Sequence, residues 1–310
     1  MTGTRRRVPQ RKHLGAVLAA PFRGSGSTVK VPMPAPFTVI EPVAGETPLV
    51  VEVPHAGLFV DGPALARLAA PARAIGRDAD LYVDELYADA PAHGATLLSS
   101  NVSRYVCDLN RSELDVDAES VEGAPPHARA TRGIVWRLTS EGARVLDGPL
   151  PRAELERRLS TYYRPYHDTL AELLERKRAR FGFAVLLAAH SMPSVGRTGH
   201  GDPQAHRADV VPGTRGRTSA GARFIDAVDR HARAAGLSVA HDDPYQGGYT
   251  TQHYGRPDID VHVVQVELAR RLYMDEPTLT RSPGFDRMRA WCASLAAALG
   301  AITPAGPAKR

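Results

Sequence analysis

The 310-residue sequence has little cysteine: Cys107 and Cys292 are its only two. They lie far apart, which leaves no CxxC metal knuckle and no disulfide framework, and makes a reducing, cytoplasmic setting the simpler expectation. Long apolar runs are missing as well. None approaches the ~20 residues of a membrane span. The N-terminal TRRRVPQRK followed by GAVLAAPF imitates an export signal. Its apolar part is short, Pro21 interrupts it, and no small-x-small site follows, so export is not expected. Aromatic residues are scarce at 6%. None interleaves the basic run, so nucleic-acid binding is not expected either. Internal repeats and a GxSxG elbow are also absent, and Ser191 beside His190 does not by itself make a triad.

What is present describes an ordinary globular chain, with 43% hydrophobic and 24% charged residues and a formal net charge of +5. Much of that charge sits in a Pro/Gly/Ser-rich, solvated N-terminal arm, residues 1–36, so the basic balance says little about the remainder. The expected organisation is that arm, one domain over residues 37–303, and a tail over 304–310. Nothing in the pattern selects an oligomeric state.

Apolar patterning predicts strands at PLVVEVP (48–54), ATLLS (95–99), RYVCDL (104–109), FGFAVLLAA (181–189) and VHVVQVELA (261–269). Leu155, Leu159, Tyr162, Tyr163, Tyr166, Leu170 and Leu173 recur at spacings of three and four, predicting an amphipathic helix over 152–179 that Pro165 kinks. Further helices are expected over 220–236, ending near Gly236, and over 284–299, with Gly300 as a stop. Alternating strands and helices indicate an α/β fold with a mixed, mostly parallel central sheet flanked by helices. Ligands of such sheets bind at the strands' carboxyl ends. His55 follows the first strand; Asp108, Asn110 and Arg111 follow the third; His190 follows the long apolar run; Glu267 lies near the end of the last.

Two histidines leaving buried strands suit metal ligation, since neutral imidazole is the commonest transition-metal ligand. Zinc hydrolases add a carboxylate and keep one position open. Asp80, Asp84 and Glu85 in DADLYVDELY are the candidates, and a helix start enriched in acids explains the same residues. Glu52, inside a strand, is a weaker choice. Glu267 in an apolar strand is costly unless paired or functional. Burial would bring its pKa toward neutrality, as a general base requires, although an ion pair with Arg270 or Arg271 is the alternative. Arg104 and Arg111 can clamp a carboxylate or hold an oxyanion. The Gly- and Tyr-rich PYQGGYTTQHYGRP (244–257) reads as a binding loop carrying Tyr249, His253 and Arg256.

VPHAG, DADLYVDELY, SRYVCDLNR, GIVWR, YYRPYH, AHSMPSVG, DVVPGTRGRTS, DPYQGGYTTQHYGRP and VHVVQVELARRLYMDE occur in order from about residue 45 to 276. In these segments the chain resembles the N-formylglutamate amidohydrolase (N-formylglutamate deformylase) family, whose fold is related to zinc carboxypeptidases and aspartoacylase. The resemblance implies a zinc-carboxypeptidase-like (phosphorylase/hydrolase-like) fold, a catalytic Zn²⁺ or similar ion, and hydrolysis of a small N-acyl amino acid such as N-formylglutamate. It implies His55 and His190 as metal ligands, Glu267 as the base, and Asn110 and Arg111 at the substrate; taken with the residue reading, Arg111 and His253 are expected at the oxyanion and Arg104, Asn110, Arg215, Tyr249 and Arg256 at the substrate. Leu58 stands where related folds carry the glutamate of an HxxE pair, so the third ligand comes from elsewhere, and Asp84 is the choice. Ala188 replaces a common Asp, Thr214 an acid and Arg217 a glycine, and RTGHGDPQAHRA precedes Asp209 as an insert reshaping the mouth. These departures keep two alternatives open: a peptide or side-chain amide as substrate, or a degenerate member that only binds ligand.

Overall fold

The four strands at the centre of the sheet come from the β-branched and aliphatic runs of the sequence. The computed structural model describes residues 34–303, apart from residues 44, 117, 127–131, 198–199 and 202. Most of the basic arm and the whole tail, 304–310, lie outside the described residues. Six strands form one sheet: β1 (Phe37–Ile40), β2 (Leu49–Val53), β3 (Thr96–Ser100), β4 (Ala184–Met192), β5 (Val210–Gly213) and β6 (Val261–Ala269), in the order β1-β3-β2-β4-β6-β5. The central β3, β2, β4 and β6 run parallel, and the edge strands β1 and β5 are antiparallel to their neighbours. The sheet is therefore mixed and mostly parallel, as the alternation predicted. A separate hairpin pairs β7 (Met274–Asp275) with β8 (Thr280–Arg281).

Between β2 and β3 lie three short helices, α1 (Gly62–Leu65), α2 (Ala72–Asp78) and α3 (Val83–Leu86). The long helical region before β4 comprises α4 (Arg152–Arg158), a single π turn at Leu159–Tyr163, and α5 (Arg164–Phe181). Pro165 explains this interruption. It has no N–H to offer the carbonyl four residues back and its ring crowds that carbonyl, so the preceding turn widens instead of breaking. The remaining helices are α6 (Ala222–Ala234), α7 (Tyr249–Tyr254) and α8 (Phe285–Gly300). Gly236 adopts φ 75°, and the Leu237 N–H bonds back to the Ala232 carbonyl, which closes α6 where the glycine predicted. No helix of the described residues is long and apolar enough to cross a membrane.

The sheet has two unlike faces. Leu49, Val51 and Val53 of β2, Val185, Leu187 and Ala189 of β4, and Val264, Val266 and Leu268 of β6 pack against α3, α6 and α8. The intervening residues face the α4–α5 region and the connections after β3. The predicted strand at 104–109 does not form. Residues 103–111 make a buried irregular loop, because their backbone is claimed by other partners. Asp108 N–H bonds to the Ile134 carbonyl, and the fully buried Arg158 guanidinium takes the Val106 carbonyl.

Candidate active site

The carboxyl ends of the parallel strands set the site. His55 lies two residues beyond β2, and His190 is paired in register with Glu267 on β6, so both side chains leave the same face. Gly57 is required next to His55: a Cβ there would collide with the backbone of Asn101 and Val102. The third component comes from between α2 and α3. Asp80 follows the end of α2, and its N–H bonds to the His55 carbonyl at 2.9 Å. Its Oδ2 then stands 3.6 Å from His55 Nδ1 and 3.1 Å from His190 Nδ1. All three residues are buried, and one donor atom from each lies within 4.8 Å of the other two. Two imidazole nitrogens and a carboxylate oxygen converging at this distance fit a divalent transition metal with an open position.

Asp80, and not Asp84, completes this cluster. The left-handed residue Tyr82 (φ 69°) starts a new turn after Asp80, and Asp84 falls in the first turn of α3, half-buried and outside the cluster. Asp84 thus serves the helix start, and the acid released from the end of α2 reaches the site. Burial would raise the Asp80 carboxyl, but hydrogen bonds and charge from His190 and His55 hold it well below the usual carboxylate range. Arg270, one of the two partners in the alternative ion-pair reading of Glu267, reaches Asp80 Oδ1 at 3.3 Å and the Ala79 carbonyl at 2.6 Å. Arg271 pairs with Asp209.

His55 is oriented from behind. Its Nε2 lies 2.7 Å from Asp108 Oδ1, the arrangement of a carboxylate–histidine–metal relay. Asp108 is wholly buried and accepts in addition from Arg104 Nη2 at 2.8 Å, Trp136 Nε1 at 2.7 Å and its neighbour Asn110 N at 2.9 Å. Despite burial, the charges of Arg104 and His55 hold this carboxyl far below its ordinary value. Glu267 behaves in the opposite way. Burial pushes it up to about 7, against the attraction of His190, and Gln265 Nε2 donates to its Oε1 at 3.0 Å.

His55, Asp80, His190 and Glu267 line a cavity of about 370 Å³ that also receives Asn110, Arg111 and Arg215. Seven arginines (77, 104, 111, 132, 197, 215 and 270) face it, against the acids Asp78, Asp80 and Glu267. Arg104 and Arg132 stack on Trp136, at 4.4 and 5.3 Å from the ring. Arg111 bonds to the carbonyls of Arg132 and Asn110 and has no carboxylate partner among the described residues. Arg215 sits in a tight turn with φ 53°, held by Asp242, whose carboxylate accepts the N–H groups of Thr214, Arg215 and Gly216. The insert contributes Arg197 and His200 to the mouth, and Arg197 is tied to Asp78 and Ser140.

Three residues of the Gly/Tyr-rich segment are not brought to this cavity. Its lining comes from Pro244–Gly248, where a Cβ at Gly248 would collide with the Asn110 amide. Tyr249 turns away to pack near Tyr163 and His167. His253 and Arg256 are exposed and line a separate depression against α5. The physical reason is α7, which begins at Tyr249 and carries its side chains off the strand ends. Asp108 was expected at a strand end, without a role behind His55; Trp136, Gln265 and Arg132 were not singled out as site residues by sequence reasoning. A polar residue two before Glu267 on the same strand was the available signal for Gln265; the others are assembled from distant segments.

The N-formylglutamate amidohydrolase family model matches residues 47–274. The chain belongs to this family. An N-formylglutamate deformylase of Pseudomonas aeruginosa is 36% identical over 240 residues, covering 75% of this chain and 84% of that protein. One from Pseudomonas putida is 34% identical over 236 residues, with the same coverage. The crystal structure of an N-formylglutamate amidohydrolase from Ralstonia eutropha superposes with a TM-score of 0.78 at 32% identity, over 86% of this chain and 97% of that one. A gene product of Agrobacterium tumefaciens shares the fold, with a TM-score of 0.62 at 20% identity over 86% and 95% of the two chains.

Proposed function

We propose that this protein hydrolyses the amide bond of a small N-acyl amino acid, N-formylglutamate first among them, at a divalent metal held by His55, Asp80 and His190. The observation that carries this reading is the buried His–Asp–His cluster at the base of an arginine-walled cavity, beside a carboxylate of near-neutral pKa. Zn²⁺ suits the donor set, and when bound it would polarise the scissile carbonyl and acidify water.

The chain's own residues do the rest. Glu267 takes a proton from the attacking water and later gives it to the leaving amine; a pKa near the working pH serves both directions. Gln265 fixes one oxygen of Glu267 and leaves the other to face water. Arg111 holds charge developing on the carbonyl oxygen, because carbonyl contacts orient its guanidinium without neutralising it. Arg132 and Arg215 supply positive charge for the substrate's carboxylates. The excess of arginine over acid in the wall favours a substrate with two negative charges, as formylglutamate has. Arg104 acts through Asp108, to which it is committed by two N–H bonds.

Metal content of the purified protein, read together with turnover on formylglutamate and a panel of neutral formyl and acetyl amino acids, tests the proposal. The expected result is about one metal per chain and a preference for the dianionic substrate. A metal-free protein with full activity, or indifference to the second carboxylate, would overturn it.

A further inference from the structure

The two site histidines differ in what stands behind them. His55 has the Asp108 carboxylate at its outer nitrogen. The outer nitrogen of His190, Nε2, lies 3.3 Å from the Asn110 Nδ2, which is a donor. The other end of that amide is occupied: Asn110 Oδ1 accepts from Thr250 N at 2.9 Å and Thr250 Oγ1 at 3.2 Å. If His190 gives its Nδ1 lone pair to a metal, its proton must sit on Nε2, facing a donor instead of an acceptor. A buried N–H in that position needs an acceptor.

A buried carboxyl with one unpartnered oxygen lies on the same face. Glu52 of β2 is fully buried and stands in register with Ala188 of β4, two residues before His190, so the three side chains leave one face of the sheet. Its Oε1 accepts from Tyr166 OH at 3.2 Å, while its Oε2 has no hydrogen-bond partner. Ala188 is small enough to leave that space to Glu52. The negative charge of Glu52 is close enough to His190 to attract it. Burial pushes the Glu52 carboxyl up to about 7 against His190, Tyr166 and Thr250, and each further donor it gains stabilises its charged form.

We propose that Glu52 is the positioning residue of His190: when His190 ligates metal, the Glu52 carboxylate accepts its Nε2–H, as Asp108 does for His55. The two ligand histidines are then braced by acids from opposite sides, one on the loop after β3 and one on the neighbouring strand. This rests on the metal reading above. It adds that the brace is supplied across strands, which makes it transferable to position 188.

The test is metal affinity of the full chain by chelator competition, for the parent, Glu52→Gln, Glu52→Val and the double variant Glu52→Val/Ala188→Asp, with unfolding midpoints of the metal-free forms. The expected result is affinity lower by about 10- to 100-fold in both single variants. Activity lost in them returns as free metal is raised, and the double variant recovers most of the affinity. Metal-free midpoints of the single variants stay at or above the parent's, because a desolvated acid has been removed. A parent that binds metal while Glu52→Gln binds it equally tightly overturns this proposal alone. So does an affinity loss that Ala188→Asp does not relieve. A parent that binds no metal overturns the metal reading and this proposal together.

Discussion

The two faces of the central sheet are built from the same strands and do opposite things. On β4, Val185, Leu187 and Ala189 enter the core under α6 and α8, while Leu186, Ala188 and His190 face the other way. On β6, Val264, Val266 and Leu268 alternate with Val263, Gln265 and Glu267. One face is mostly apolar, with His262 at the start of β6 and Ser191 near the end of β4 as its polar members. The other starts apolar and becomes polar toward the carboxyl ends, where the helix dipoles and loops can meet a ligand. The apolar face supplies burial. The polar face carries desolvated groups: hydrogen bonds and opposite charge more than offset that cost at Asp108, which is held down, and fall short of it at Glu267, which burial pushes up.

The contrast is sharpened most by removing the proposed base. Glu267→Gln is expected to lower kcat by about 10²- to 10⁴-fold while metal content stays at the parent level. A near-parent rate would remove Glu267 from the chemistry. Next in size is the pair Asp80→Asn and Asp84→Asn. The first should weaken metal binding by at least about the 100-fold that bounds the effect of outer hydrogen-bond partners. The second should leave binding unchanged, and the reverse outcome would restore Asp84 as ligand.

On the apolar face the expected effect is on stability. Leu187→Ala opens a cavity and should cost about 2–5 kcal/mol in denaturant unfolding, with kcat of the folded fraction close to the parent's. A large drop in kcat at unchanged stability would show that the faces are not independent. The smallest effect concerns acid. Asp61 caps α1 through Ala64 N and holds Tyr162 and Arg157. Burial alone would raise its carboxyl, but those bonds depress it below 3.8. A depressed carboxylate pKa contributes stability that is complete above the unfolded value and is lost as pH falls through the folded one. Asp61→Asn should therefore flatten the loss of stability below about pH 4 in urea midpoints measured against pH. An unchanged acid limb would mean that other carboxylates control it.

Much of this was readable from residue order. The central strands, α6, α8 and the two histidines follow from period, composition and a polar residue placed just beyond an apolar run. The position of Glu267 was readable for the same reason: an acid inside such a run has few structural uses. Asp80 could not be separated from Asp84, because both occupy the same acidic segment and only the end of α2 decides which one is released toward the strands. RYVCDL has a strand's composition, yet Ile134 and Arg158 take backbone groups that a neighbouring strand would have paired.

His253 and Arg256 show the same limit from the other side. Their polar, glycine-rich context looked like a ligand loop, and the short helix α7 turns them onto the outer surface against α5. Because periodic burial and strand-end polarity are local properties of the chain, the sequence by itself determined the four central strands and the pair of histidines at their ends, but neither edge strand. Only the tertiary structure decided which acid joins them, which arginines face the cavity and which groups stand behind each imidazole, because those depend on segments that the fold brings together from tens to more than a hundred residues apart.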